Sequence, residues 1–355
     1  MNIILNSYCN LKCNYCFADE YMDETVRTPG KSMEYDFFVN QLLPKVKSTP
    51  VINFMGGEPT IHPRFNDIMQ KTLATVPPYT FLSIFTNGLM PQSTLDLLIQ
   101  TAGPRGCLRN NIHFSILLNW QTMENISEKN HQRCREVAQE IMRVNGYTIT
   151  FSINLYSKNQ DLETQCAEID EIYQEAGLPP GQTYRVRVSP AFPIVGDHQN
   201  AYLPIRDFPK VGRKMIEILK EYPQMCFRFD CSFPPCFLDE IQEEEYSLVS
   251  RFYFHGNKQV PELKDWPEQD FYFGCADGSP MDIDPKGDCF NCFPFHSLKL
   301  GNIREFKAVN NIAQAKMGSR FLTEVFEKTN VKEPCRSCPH YMVRCSSGCF
   351  AYNFI

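Results

Sequence analysis

Short apolar runs alternate with longer amphipathic stretches through the first half of the chain, the pattern of βα units around a parallel sheet. Runs at Asn2–Asn6, Val51–Met55, Thr80–Phe85, Ile112–Leu118, Thr148–Leu155 and Tyr184–Ser189 predict six strands. Apolar residues at helical spacing predict helices over Ser32–Val46, Arg64–Thr75, Gln92–Thr101, Asn125–Val144 and Leu162–Ala176. Gly56-Gly57, Asn87-Gly88, Asn145-Gly146 and Gly177 punctuate them. Six strands with crossover helices make a sheet or a partial barrel, whose chemistry belongs at the C-terminal ends of the strands. From Ala191 to about Asp270 the pattern loosens into a Pro- and aromatic-rich stretch with a helix near Asp207–Glu221 and a strand at Met225–Phe229. Glu243-Glu244-Glu245 reads as a solvated helix face.

Charge narrows the classes. Against 41 Asp and Glu stand 35 Lys and Arg, a net charge of −6, so no basic surface marks a nucleic-acid binder. The opening Met1-Asn2-Ile3-Ile4-Leu5-Asn6 has no cationic segment, and nowhere do about 18 apolar residues run without a charge. Neither signal peptide nor membrane span is expected, and the chain reads as cytoplasmic.

Cysteine is the anomaly: 16 in 355 residues exceeds ordinary core filling, and a chain of this size needs no disulfide staples. Metal or redox chemistry in a reducing compartment is the expectation. The cysteines gather at the two ends. Cys9, Cys13 and Cys16 open the chain, while Cys275, Cys289, Cys292, Cys335, Cys338, Cys345 and Cys349 fall in the last quarter. Cys107, Cys134 and Cys166 are isolated and read as inert core thiols. Cys226, Cys231 and Cys236 lie in the loosened stretch. Cluster ligands, a thiol hydrogen-atom donor and plain burial all remain open for them.

Directly after the first predicted strand comes Cys9-x3-Cys13-x2-Cys16. Three thiolates on one short loop suit three irons of a [4Fe–4S] cube, leaving the fourth iron open to an N/O chelate such as an amino acid. A zinc loop or a structural cluster is the plainer reading of the same spacing. At the end of the second predicted strand stands Gly56-Gly57-Glu58-Pro59, where glycines let a ligand approach the backbone. These two features, with the aromatic Tyr15 before the last cysteine, resemble the radical S-adenosylmethionine (SAM) superfamily. The resemblance implies a partial (β/α)6 TIM-like barrel in the α/β class. It also implies a SAM-binding [4Fe–4S] cluster on Cys9, Cys13 and Cys16, and reductive cleavage of SAM to a 5′-deoxyadenosyl radical. SAM-contacting residues would be Tyr15, Phe17, Gly56, Gly57, Glu58, Pro59, Thr86, Asn87, Ser115 and Asn154, with Glu58 accepting from the SAM ammonium. For Ser115 and Asn154 a protein partner serves as well as a ligand. Arg185 or Arg187 would face the SAM carboxylate or the surface.

Near the C-terminus, Cys275-x11-Gly287-x4-Cys292 is followed by Cys335-x2-Cys338-x6-Cys345-x3-Cys349. This resembles the SPASM domain, or its twitch-like variant, the auxiliary-cluster extension of many radical SAM enzymes. That likeness implies one or two auxiliary [4Fe–4S] clusters, Cys275, Cys292 and Cys349 with Cys289 on one and Cys335, Cys338 and Cys345 on the other. No seventh cysteine precedes Ile355, so the second cluster is expected to be open to substrate, completed by Cys231 or Cys236, or missing. Zinc is the alternative for these thiols too. The expected organisation is a barrel over residues 1–190, a bridge over 191–270 and a cysteine-rich domain over 271–355.

The SPASM resemblance implies a peptide or protein substrate, undergoing oxidation, crosslinking or epimerisation in peptide maturation. An external electron donor such as flavodoxin or ferredoxin is expected, with neither nucleic acid nor membrane as partner. Because the first strand starts at residue 2, no separate N-terminal recognition domain is expected, which keeps a small-molecule dehydrogenase in play. A non-catalytic iron–sulfur or zinc protein is the remote alternative.

Overall fold

Six strands form where the apolar runs stand: β1 Asn2–Asn6, β2 Val51–Gly56, β3 Phe81–Thr86, β4 His113–Asn119, β5 Ile149–Leu155 and β6 Tyr184–Pro190. The computed structural model describes residues 1–16, 18, 32–103, 111–146, 148–195, 199–230, 233–254, 258–259, 281–295, 298–308, 327, 330–341, 343, 345 and 347–353. Each strand pairs in parallel with the next, in sequence order, through crossover helices.

Burial alternates along the strands. Leu82, Ile84 and Thr86 of β3 and Phe114, Ile116 and Leu118 of β4 are buried, while Ser83, Phe85, Ser115 and Asn119 between them are half-buried. A sheet covered on both faces would bury both sets. Here helices cover one face, and the other is the inner wall of an incomplete barrel, where polar side chains stand.

The sheet runs past the six expected strands at both edges. Beyond β6 come β7 Met225–Phe229 and β8 Phe252–Phe254, both parallel, then β9 Lys258–Gln259. On the far side of β1, β10 Asp282–Ile283 pairs in parallel, and β11 Asp288–Phe290 and β12 Lys299–Asn302 follow antiparallel. The bridge and the cysteine-rich segment therefore both contribute strands to one 12-stranded sheet. Helix Phe208–Glu221 covers the β7 side by burying Val211, Met215, Ile216, Ile218 and Leu219, a 3.6-residue stripe.

The helix expected over Ser32–Val46 is shorter and irregular: a turn at Tyr35–Phe37, a π-turn at Phe38–Leu42 and a turn at Leu43–Val46. Pro44 has no N–H to give the carbonyl four residues back, so the ladder slips there.

Glu245 departs from the solvated face expected of the three glutamates. Glu243 and Glu244 are exposed, but Glu245 is buried, accepting from Lys220 Nζ at 2.6 Å and pairing with Arg213. Arg213 first, then Lys220 and the Gln242 N–H, hold its carboxyl down at about 2 against the burial that pushes it up. A carboxyl whose pKa falls on folding stabilises the fold above its unfolded value and loses that contribution as pH drops through the folded one. Urea midpoints of the wild type are therefore expected to decline between about pH 4.5 and 2 more steeply than those of Glu245→Gln. Parallel pH profiles would refute this role. No helix among the described residues is long and apolar enough to cross a membrane.

Candidate active site

The chain leaving β1 turns at once into the cysteine loop, and the chain leaving β2 holds that loop in place. Gly57 N–H donates to Asn6 O at 2.6 Å, Glu58 N–H to Tyr8 O at 2.8 Å, and Asn6 Nδ2 to Glu58 O at 3.2 Å. The two backbones touch because neither glycine has a side chain. A Cβ on Gly56 would stand 2.3 Å from Asn6 O, and one on Gly57 2.2 Å from Tyr8 O; Gly56 also has φ +147°. The missing side chains let the backbone that carries Cys9 pack directly on this turn.

Glu58 likewise turns inward. It is only 1% exposed, and its carboxylate accepts from Thr60 N–H (3.1 Å), Thr60 Oγ1 (2.5 Å), Thr86 Oγ1 (2.8 Å) and Asn87 N–H (2.7 Å). Burial pushes the carboxyl up and these four bonds oppose it. Through these bonds Glu58 ties the end of β2 to the end of β3. Pro59 and Thr60 begin the short helix Pro59–Ile61 beneath it.

Asn87 completes the clamp. Its Nδ2 donates to Asn10 Oδ1 at 2.8 Å and stands 3.9 Å from the Cys9 sulfur, while Asn10 Nδ2 donates to Leu89 O at 2.8 Å. The three thiols of the loop are half-buried. Cys9 and Cys16 pack against Ile4, Ala18 and Met55, and Cys13 against Tyr15, Tyr156 and Ala191. Burial first, then Glu58, pushes the Cys9 thiol up to about 12, with Cys13 and Cys16 adding; burial and Cys16 do the same to Cys13.

Tyr15 anchors the far side. Its ring stacks on Tyr156 at 5.1 Å, and its hydroxyl donates to Gln121 Oε1 at 2.7 Å while accepting from Asn119 Nδ2 at 3.2 Å and Asn154 Nδ2 at 3.4 Å. Asn154 therefore has protein partners, Tyr15 and Asn119, the latter at 2.7 Å. So does Ser115, whose hydroxyl meets that of Ser83 on β3 at 2.8 Å. Arg187 is engaged by Ser152 Oγ at 2.9 Å and by Asp230, and Arg185 lies over the Tyr253 ring at 4.5 Å. Phe17 lies outside the described residues, as do Cys231 and Cys275.

Several contributors escaped the sequence reading. Asn119 ends β4 and Gln121 follows it, Asn125 Oδ1 accepts from Asn14 N–H at 2.8 Å, and Asn200 Nδ2 donates to Tyr15 O at 3.1 Å. Polar residues at and just past the β4 end were the available signal for the first two; nothing local marks Asn200. In the other direction, Cys289 is fully buried on β11 with its sulfur donating to Gly287 O at 3.7 Å, the setting of a core thiol. Cys134 is also a core thiol, donating to Asn87 O at 3.0 Å, and Cys166 is fully buried.

This donor set fits an iron–sulfur cluster. As free thiols, the crowded and partly buried Cys9 and Cys13 are held against ionisation; iron supplies the positive charge that thiolates need. The Gln121 side chain points the same way. Its Nε2 is buried without a partner, and its Oε1 stands 3.7 Å from the Cys13 sulfur. An orphaned buried N–H beside Cys13 is a polar group that a ligand held at the cysteine loop would satisfy. Among the described residues no three His, Cys, Asp or Glu converge as ligands of a single ion. A cube imposes no such convergence, since each thiolate takes its own iron.

The profile of the Radical SAM superfamily matches residues 3–116, the stretch that carries the cysteine loop, the glycine turn and Asn87. Over 70 residues the chain is 39% identical to the tungsten-containing aldehyde ferredoxin oxidoreductase cofactor-modifying protein of Pyrococcus furiosus, covering 19% of this chain and 18% of that protein. Over 103 residues it is 29% identical to GTP 3′,8-cyclase of Chlorobaculum tepidum, covering 28% of this chain and 29% of the other. The matched segments thus span less than a third of these relatives' own lengths. Among solved structures, Streptococcus suis SuiB bound to S-adenosylmethionine superposes with a TM-score of 0.56 at 17% identity, covering 95% of this chain and 67% of that one. That likeness is one of fold.

Proposed function

We infer that this radical SAM enzyme, whose cofactors are SAM and a [4Fe–4S] cluster, takes a hydrogen atom from a peptide or protein in a maturation reaction such as oxidation, crosslinking or epimerisation. Cys9, Cys13 and Cys16 would hold the cluster. When bound, the cluster supplies the electron that cleaves SAM to the 5′-deoxyadenosyl radical. The observation that carries the reading is the cysteine loop itself, tied by Gly57, Glu58 and Asn87 to the C-terminal ends of β1, β2 and β3 at the barrel mouth.

The chain's own residues have separable tasks. Glu58, Thr60 and Thr86 fix the turn against which the loop folds. Asn87 holds Asn10 and with it the segment between Cys9 and Cys13. Tyr15, held by Asn119, Gln121 and Asn154, would set the neighbouring Cys16.

A peptide substrate is supported by the resemblance of the cysteine-rich tail to the SPASM domain; auxiliary clusters on that tail would accept or relay the electron left on the substrate, and an external donor such as flavodoxin or ferredoxin would supply the electron for SAM cleavage. The sequence segments 1–190, 191–270 and 271–355 are kept as catalytic, bridging and auxiliary parts, and the thiol-rich composition supports a cytoplasmic setting. A small-molecule substrate is the second reading, favoured by the relative named for a cyclase of GTP.

Anaerobically reconstituted protein given SAM and dithionite is expected to form 5′-deoxyadenosine. Full iron content without that product would sink the enzyme reading. Incubation with short peptides encoded beside its gene is expected to change a peptide's mass. Uncoupled SAM cleavage with every peptide unchanged would transfer the assignment to a small molecule.

A further inference from the structure

Cys236 belongs to neither cysteine motif. It sits in the one-turn helix Pro235–Leu238, which follows β7. On one side this turn is pressed against helix Phe208–Glu221: a Cβ on Gly212 would stand 1.7 Å from the Phe237 carbonyl oxygen. Phe237 is fully buried, with the rings of Phe229 and Phe233 each 5.0 Å away. On its other side the turn meets the C-terminal segment. His340 is the basic neighbour of Asp239 there, and the Tyr352 ring lies 6.3 Å from Phe208, which in turn contacts Phe233 at 5.1 Å. Tyr352 also donates its hydroxyl to Ala191 O at 3.3 Å.

The groups within electrostatic reach of the Cys236 sulfur are Asp239 and the thiols of Cys335, Cys345 and Cys338. Cys335 has Cys345 and Cys338 around it in turn, and Cys345 has Cys338. Backbone turns hold the three tail cysteines together, with Cys338 N–H donating to Cys335 O at 3.1 Å, Tyr341 N–H to Cys338 O at 3.1 Å and Cys345 bridged to Tyr341, and Cys236 faces this group from a distant stretch of chain; none of the four is in a disulfide and all are buried or half-buried.

Four such thiols have little to offer one another, whereas a cationic centre would let all four ionise. One of the four is already prepared. The Ser347 and Gly348 N–H groups are directed at the Cys345 sulfur, from a turn with successive φ values of 60° and 73°. Such a pair of N–H dipoles favours charge on the sulfur. Tetrahedral zinc needs four sulfurs about 2.3 Å from one point, and no group of three ligands among the described residues converges in that way. A cube accepts the wider spacing.

We propose that Cys236 is the fourth protein ligand of an auxiliary iron–sulfur cluster whose other ligands are Cys335, Cys338 and Cys345. This rests on the iron–sulfur reading of the tail and supplies the thiolate that the tail motif lacks. A cluster closed by four thiolates presents no open iron to substrate, so its role is electron transfer. It also staples the turn after β7 to the C-terminal segment, which couples cluster assembly to docking of that segment.

The test uses the full chain carrying Cys9→Ala, Cys13→Ala and Cys16→Ala, so that all remaining iron belongs to auxiliary centres. In this background Cys236→Ala is expected to lose between about one and four irons per chain, with a [3Fe–4S] electron paramagnetic resonance signal where the loss is partial. Cys335→Ala should match it, and Cys166→Ala should lose none. Unchanged iron in Cys236→Ala overturns the ligand assignment but leaves the cluster reading intact. Zinc in place of iron in the background protein overturns the cluster reading itself. Thiol alkylation serves if Cys236→Ala does not fold: in the background protein, Cys236 should become reactive on iron removal together with Cys335, Cys338 and Cys345. Labelling of Cys236 that ignores iron removal refutes the proposal.

Discussion

Cys13→Ala is expected to bring 5′-deoxyadenosine formation down to background and to remove about four irons per chain, with the fold retained. The thiol is half-buried, with the Gln121 amide at 3.7 Å and the Tyr15 hydroxyl as its polar neighbours, so deleting one sulfur at the edge of the loop is expected to cost little in packing. On the proposed assignment one of three anchors would be lost, and a cube held by two thiolates on a short loop would have neither the charge balance nor the geometry to persist. Iron and sulfide analysis and chromatographic detection of the nucleoside on the same anaerobic sample separate the two effects. Retained cleavage at reduced iron content would show that Cys13 is not a ligand. Far-UV circular dichroism differing from wild type would show instead that the loop is a folding element.

Gly57→Ala should be nearly as damaging for a different reason. The added methyl would stand 2.2 Å from Tyr8 O, a backbone atom already accepting from Glu58 N–H at 2.8 Å. Neither strand end can retreat without breaking that bond or the Gly57 N–H bond to Asn6 O. The cost of such overpacking is about 1–3 kcal/mol in stability. Its larger consequence is positional, because the displaced atoms lead directly into Cys9. An ångström of misplacement at a reacting centre lowers rates by about a hundredfold, so a fall of that order in SAM cleavage is expected, with iron loading reduced alongside. Gly146→Ala is the matched control. Its methyl would meet only Met142 O at 3.9 Å, and its backbone is already helical at φ −60°; stability should hold or rise by about 0.4–1 kcal/mol. A Gly57→Ala protein with wild-type denaturation midpoint and iron content would show that the loop has room to move.

Both predictions depend on contacts of very different legibility. The βα alternation is written in residues that carry their own periodicity, and all six expected strands form within two residues of the expected limits. The cysteine loop is equally plain, because three cysteines within eight positions need no tertiary structure to become neighbours. Glu58 could be located by spacing but not assigned a task. Its partners Thr86 and Asn87 are 28 and 29 positions away, and only strand pairing shows that they consume its carboxylate. Ser115 and Asn154 follow the same rule: each was expected to need a partner, and a neighbouring strand supplies it at an offset that sequence periodicity does not encode.

From the sequence by itself came the strand–helix order, the strand ends that carry chemistry, and the identity of the first three thiols, since each rests on local spacing. Only the tertiary structure decided that the glycine turn receives the backbone of the cysteine loop, that Gln121 lies beside Cys13, and that the sheet continues past β6 and to the far side of β1. It alone brought Cys236 among Cys335, Cys338 and Cys345. A thiol's neighbours depend on how helix Phe208–Glu221 and the C-terminal segment pack around one turn, and such long-range packing leaves no periodic trace in the chain.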